Sequence, residues 1–592
     1  MIRTGKKDIR LELPCPGGTA LVTRRGGEIT VRLAYQGAYG TGERFGSLNR
    51  KGRHVITRVE EKFCFQGEKT YCPAPFFWTD TGFGLYADTC RVTEFDFRDE
   101  EILIKLPEES DAVLFTGTPE EIMREYMALS GQAVLPPEWI FTPWISANRW
   151  HTQAEAEEQI RLLEKHGYHA GVIVLEAWSD EATFYIFNGA KYTPVKGGAA
   201  LKSEDFDFSG SPWPDPAGMI KKLHAAGLHL LLWQVPVYKK QDQNEVPNVQ
   251  NDLDRADALQ RGLCVMKKDG TPYTIPEGHW FSGSLLPDFT NPETVKAWFD
   301  KRQYLLELGV DGFKTDGGEF ILSEDACFSD GSTGSEGINR YARDYEESYS
   351  RFAGKGRVIF SRAGYTGQHT VPAHWAGDQQ SVNEEMKAVL RAGLSAAASG
   401  MIFWGFDMAG FAGPLPTPDL YRRATQAACF TPIMQWHSEP DGGQFRELMP
   451  GGTGNNERTP WNMAEAYAMP GFIEEMRYWN ELRMQLQPYL RATAEECVKA
   501  SRPMLRPLVY MWPEDANTLN CEDEFMLGDA LLVAPLTEEN AQTREVYLPQ
   551  GKWKGFFDGQ EYTGGKTVTA GGEGKLPVFI REGYPVATLL QM

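Results

Sequence analysis

Between about residue 139 and residue 490 the chain repeats one pattern eight times: a short apolar run with, in most cases, a polar residue at its end. The runs are WIFTPWIS, AGVIVLEAW, LHLLLWQVPVY, GVDGFKTDGGE, GRVIFSRAGY, AHWAGD, SGMIFWGFDMAGF and FTPIMQW. Their length and continuous apolar character suit strands buried on both faces. Between several of them lie segments of helical periodicity, AEAEEQIRLLEKHG, DPAGMIKKLHAAG and PETVKAWFDKRQYLLELG among them. Eight buried strands alternating with helices predict an α/β fold built on a parallel (β/α)8 TIM barrel.

The remaining sequence changes character on both sides of this region. Residues 1–134 read as short strands broken by glycines, in GGTALVTRRGGEITVRLAYQG, GFGLYADTCRVTEFDF and EILIKLPEESDAVLFTG, and predict an N-terminal antiparallel β-sandwich. LPPEW at 135–139 serves as a linker, and the catalytic barrel is expected over 135–494. Residues 495–592 return to strand-like pieces, FMLGDALLVAPL, REVYLPQGKWKGFF and KTVTAGGEGKLPVFIREG, and predict a C-terminal β-domain. A long insertion, around 185–213, follows the second barrel strand.

Bulk properties narrow the function. A chain of 592 residues needs several cores, in keeping with three domains. A net charge of −21 would repel a phosphate backbone, so nucleic acid is not an expected partner, whereas a neutral small molecule is compatible. No apolar run approaches the roughly 20 residues a membrane helix needs, and no apolar leader segment is visible at the N-terminus. Nine cysteines lie singly, with no CxxC pair, which points to reduced thiols in a cytoplasmic protein rather than a disulfide framework or a zinc site. With ten histidines, no HExxH and no close His/Cys cluster, no metal is expected, and no cofactor motif such as a P-loop is found. The edges of two β-domains leave homo-oligomerisation open.

Polar residues at the C-terminal strand ends mark the expected active site, because parallel barrels place their sites there. They are Glu176, Gln234, Lys314, Asp316, Glu319, Arg362, His374, Asp378, Asp407 and His437. Aromatic residues accompany them: Trp144, Trp178, Trp233, Phe313, Trp375, Trp404, Phe406 and Trp436. Carboxylates among aromatic rings suit a neutral polyhydroxylated ligand, and cleavage of a glycoside needs a pair of carboxylates. Lys314 stands two residues before Asp316 on a strand, so both side chains face one side. Asp311 and Glu319 read more simply as structural braces, Asp288 equally as a brace or a sugar-binding group, and His374 as a residue behind the site.

Several segments together resemble glycoside hydrolase family 31. GVDGFKTDGGEF is similar to the family's nucleophile region, SRAGYTGQHTVPAHWAGDQQS to its acid/base segment, and FWGFDMAGF, MQWHSE and VIVLEAW to segments that bind the sugar. YGTGERFGSLNRKG near the N-terminus and DEFMLGDALLVAPL near the C-terminus extend the resemblance over nearly the whole chain. The resemblance implies a retaining, exo-acting α-glycosidase with Asp316 as nucleophile and Asp378 as acid/base, their carboxyl groups about 5–5.5 Å apart. It implies Glu176, Trp178, Trp233, Lys314, Arg362, Trp375, Asp407 and His437 as substrate-binding residues. Its favoured substrate is an oligosaccharide ending in an α-glucoside, with an α-galactoside or α-xyloside as the alternative. A catalytically inactive sugar-binding relative would have lost one of the two aspartates, and both are present; a metal-dependent barrel hydrolase is a third reading. Three departures stand out, one of them the segment WSDEATFYIFNGAKY, which matches no named specificity. Glu176 replaces the more usual aspartate, and GQHT, with Gln368 and His369, replaces the family's SQR.

Overall fold

The computed structural model describes residues 1–439 and 455–584. It has the expected architecture: a (β/α)8 barrel with an N-terminal β-sandwich and a C-terminal β-domain. The chain divides into two compact units, 1–143 with 365–592, and 144–364.

The second unit carries five barrel strands: β1 (Pro143–Ser146, its first residue in the other unit), β2 (Val172–Leu175), β3 (His229–Gln234), β4 (Gly312–Thr315) and β5 (Val358–Ser361). They pair in parallel in chain order, with Trp144 opposite Val172, Val172 opposite His229, Trp233 opposite Lys314, and Lys314 opposite Phe360. Gly312 opens β4 because nothing larger fits: a Cβ there would lie 2.0 Å from the Val358 carbonyl oxygen. Helix α1 (Gln153–His166) follows β1; Thr152 and Glu155 close its start as a capping box, and Gly167, with φ 67°, ends it in the left-handed region. Helix α2 (Pro216–Ala225) precedes β3. The stretch 292–309, which reads as one helix, is two, α3 (Pro292–Asp300) and α4 (Gln303–Leu308). The break falls where two cations turn inward: Lys301 onto Asp254, and Arg302 onto the Gln234 side chain and the face of Trp298.

The insertion after β2 has almost no regular structure beyond a short 3-10 turn at Ser203–Asp205. Aromatic contacts hold it: Phe187 against Trp178, Phe208 and Trp213, and Phe206 against Tyr192 and Tyr304. Asp180 gathers the turn at its start by accepting from the backbone N–H groups of Ala182 and Thr183, from the Thr183 hydroxyl and from the Asn248 amide.

The other unit contains β6 (His374–Trp375), β7 (Trp404–Gly405) and β8 (Met434–Trp436). β6 and β7 are parallel, with His374 opposite Trp404, and a parallel bridge joins Asp407 to Gln435. The N-terminal sandwich packs a six-stranded sheet on a five-stranded one. Its core takes Val22, Val31, Ile102 and Ile104 from the first, and Phe77, Leu85, Ala87 and Leu114 from the second. The C-terminal β-domain closes over Met526, Leu532, Val546, Leu548, Trp553 and Phe579. No described helix is long and apolar enough to cross a membrane. All nine cysteines are unbridged.

Candidate active site

The residues expected to act fall in two groups, six in the 144–364 unit and four in the other. In the first group the centre is Asp316, one residue past the end of β4. Its carboxylate is held from three sides. The Trp233 indole N–H donates to Oδ2 at 2.9 Å, the Gly317 backbone N–H donates to Oδ1 at 2.8 Å, and the Arg362 guanidinium lies 3.2 Å from Oδ1. The Tyr345 hydroxyl fixes the Asp316 carbonyl at 3.3 Å. The side chain keeps 13% exposure, so a carboxylate already oriented by three donors remains reachable from solvent.

Arg362, one residue past β5, is buried and also grips Glu319 through two N–H···O contacts at 2.9 and 3.3 Å. A guanidinium between two carboxylates is a rigid fork. Burial pushes the Glu319 carboxyl above its usual range, Arg362 opposes that push, and Asp316 adds to it. Glu319 is thus the brace the sequence suggested. Asp288 is one too, accepting from Thr290 and from the Ser329 backbone N–H.

Lys314 pairs with Glu176. Its ammonium sits 2.5 Å from Oε1 of Glu176, and the Asn148 amide donates to Oε2 at 2.9 Å. The reason is reach: Glu176, a methylene longer than aspartate, extends from the end of β2 to meet the lysine, and both are almost wholly buried. The cation on Asp316 is Arg362.

Trp233 and Trp178 part company. Trp233 is partly exposed beside Asp316. Trp178 has no exposed surface, and its indole N–H donates to the Trp233 carbonyl at 3.1 Å while its ring packs on Phe187. Trp178 thus supports Trp233 from behind. The sequence reading passed over Trp280, which is 39% exposed. Its ring lies 6.2 Å from that of Trp233 and 5.6 Å from the Arg362 guanidinium. Its setting, EGHWFSGS, was a usable signal, since a tryptophan flanked by turn residues has no core to fill. Beside it Phe281 and Phe184 both hold positive φ, 56° and 57°, their rings 5.6 Å apart. Bulky residues in that region are strained, at a cost of about 1–3 kcal/mol each, and such strain concentrates at functional sites.

In the second group Asp378 follows β6 and is partly buried. The Gln66 amide, from the N-terminal domain, donates to its carbonyl at 2.8 Å. Gly377 makes the turn before it with φ 74°, and a Cβ there would strike the Tyr71 ring at 2.3 Å. Asp407, past β7, is buried and accepts from the Gln435 amide at 2.6 Å. His437, past β8, is buried with Phe411 at 4.8 Å between ring centres. Trp375 and His374 are buried on β6. Gln368 and His369 point into their own unit: Gln368 onto the Cys72 sulfur, and His369 onto the Met127 and Gly131 carbonyls at the end of helix Pro119–Ser130. Their departure from the family pattern therefore re-anchors the loop from behind.

The fold also groups residues that the sequence keeps apart. His224 at the end of α2, His229 at the start of β3 and Asp311 just before β4 come together, because a short turn brings the helix end back beside the strand start.

The barrel domain of glycosyl hydrolases family 31 matches residues 133–493, with that family's C-terminal domain at 501–586 and its galactose mutarotase-like N-terminal domain at 24–96. The chain belongs to glycoside hydrolase family 31. Among this family's members, the isomaltosyltransferase of Sporosarcina globispora is 33% identical over 98% of this chain and 56% of its own length. The 1,3-alpha-isomaltosidase of Kribbella flavida is 36% identical over 89% of this chain and 73% of its own. The structure of a cycloalternan-degrading enzyme from Trueperella pyogenes in complex with isomaltose superposes with a TM-score of 0.89 at 35% identity, over 98% of this chain and 84% of that one. The chain thus spans little more than half the length of the transferase it matches.

Proposed function

We propose that the protein is a retaining α-glycosidase acting on α-glucosyl units of oligosaccharides. The observation that carries this is Asp316, a strand-end carboxylate oriented by Trp233, Gly317 and Arg362 and still reachable from solvent. A nucleophile that must meet an anomeric carbon from one direction needs such fixing, because alignment before reaction supplies a large part of the rate. In the first step Asp316 attacks the anomeric carbon, the glycosidic C–O bond breaks, and Asp378 gives its proton to the leaving oxygen. In the second step Asp378 takes a proton from water or a sugar hydroxyl, whose oxygen displaces Asp316. Asp407, Glu176, Lys314 and His437 offer the hydroxyl-binding groups. Work at pH 7 on nitrophenyl α-glycosides tests the assignment. Asp316→Asn should lose turnover without unfolding. Asp378→Asn should lose far more activity on natural glycosides than on aryl glycosides, whose leaving groups need little protonation. Full activity of either variant on oligosaccharides overturns the roles.

A second reading concerns donor length. Three relatives named for isomaltosyl or cycloalternan chemistry match nearly the whole chain, which favours an isomaltosyl unit over a single glucose, and the exposed Trp280 beside Trp233 supplies a further ring surface. Product analysis on an α-1,3-linked isomaltosyl oligosaccharide decides it: release of isomaltose supports the reading, and release of glucose, xylose or galactose alone removes it.

A further inference from the structure

We propose that His224, His229 and Asp311 form a divalent transition-metal site at the N-terminal ends of the barrel strands, opposite to the end that carries Asp316. The three come from different elements, the last turn of α2, the first residue of β3 and the residue before β4. His224 Nε2 lies 2.7 Å from Oδ2 of Asp311, and His229 Nδ1 lies 3.0 Å from Oδ1; one ligand atom from each residue lies within 4.8 Å of the other two. Ligands about 2.1 Å from a zinc ion stand about 3.0 to 3.4 Å apart at right-angled to tetrahedral geometry. The two imidazole–carboxylate contacts need to open by only a few tenths of an ångström to reach that spacing, and a ligand nitrogen of each histidine lies within 4.8 Å of the other.

The donor set selects its class. Two imidazoles with one carboxylate suit Zn2+ and its borderline neighbours, and are a poor match for Mg2+ or Ca2+, which take oxygen ligands. The carboxylate is already steered: the Leu230 backbone N–H donates to Oδ2 at 2.9 Å, the kind of support that holds a metal-binding carboxylate in place. The side chains of His224 and His229 are 38% and 33% exposed, which leaves a path for the ion and room for water to complete its shell. β3 runs six residues from His229 to Gln234, about 17–20 Å. The ion would therefore tie α2 to two barrel strands without touching the chemistry at the other end.

Titration of Zn2+ alone into the metal-free full-length protein, followed by calorimetry and by thermal unfolding, tests this. The expected result is one site that His224→Ala weakens at least tenfold, and a Zn2+-dependent rise in Tm that the same variant loses. Cys521→Ser should keep both, since Cys521, Asp523 and Glu524 form the other described group that could compete. His224 lies at an exposed helix end, so its alanine variant should fold; matching Tm values for the two metal-free proteins would show this. Hydrolytic activity after chelation should be unchanged. No binding at 100-fold excess Zn2+ near 1 μM protein, or equal binding by His224→Ala, overturns the proposal and leaves the three as a hydrogen-bonded lock.

Discussion

Glu43 lies in the GERF segment, 1% exposed, with the Trp404 indole N–H on Oε1 and no partner for Oε2 among the described residues. Burial pushes its carboxyl from 4.5 up to about 8, against the opposing pull of that hydrogen bond. At neutral pH the folded protein therefore holds a proton that the unfolded chain has released. Stability should be greatest below the unfolded value, fall as the pH rises above 4.5, and level off above about 8. At 1.36 kcal/mol per unit, the contribution at pH 7 is a loss of roughly 3 kcal/mol relative to acid conditions. Glu43→Gln keeps the shape and the acceptor for Trp404 and removes the titration. Scanning calorimetry of both proteins from pH 5 to pH 8 should show their Tm difference moving steadily in the variant's favour, by a few degrees over the range. Any fixed cost of the amide does not vary with pH. A Tm difference that stays constant across the range would refute a protonated Glu43 in the folded state.

Three further outcomes are expected at the candidate site. Trp233→Phe removes the 2.9 Å hydrogen bond to Asp316 and keeps the ring; a hydrogen bond to a charged group contributes about 1.5–3 kcal/mol, so kcat/KM should fall roughly 10- to 100-fold with little change in Tm. Arg362→Met leaves Glu319 buried without its cation and should cost about 3–5 kcal/mol of stability; adding Glu319→Gln should restore most of the Tm but not the turnover, and recovery of both would show that Arg362 acts only as a brace. Glu176→Asp should pull the carboxylate off Lys314, seen as a rise in KM larger than the fall in kcat; unchanged kinetics would remove Glu176 from substrate binding.

The barrel was legible because its strands are buried on both faces, and continuous apolar runs such as VIVL and VIFS announce that burial directly. Strand Pro73–Thr79 was not, although every residue in it is buried: PAPFFWT has two prolines and no alternation. Asp316, Arg362 and Glu319 were legible as strand-end residues. Their partners were not, because a partner depends on reach across strands: Lys314 belongs to Glu176 through one extra methylene, and Trp178 to the Trp233 carbonyl through a fold of the insertion. Composition could not place the His224, His229 and Asp311 group either, since 82 residues separate the last two in the chain.

The loop that leads from β2 into the insertion touches the nucleophile through a single intermediary. Trp178 donates to the Trp233 carbonyl, Phe184 packs its ring 5.6 Å from Trp233 and receives the Gln234 amide on its carbonyl, and Trp233 in turn holds Asp316. A loop wired in this way cannot be exchanged as an independent cassette. Grafting the insertion of a relative with another preference would retune the reactivity of the carboxylate along with the choice of sugar. Changing the sugar preference through this loop while keeping the carboxylate in place therefore calls for matched changes at 178, 184 and 233.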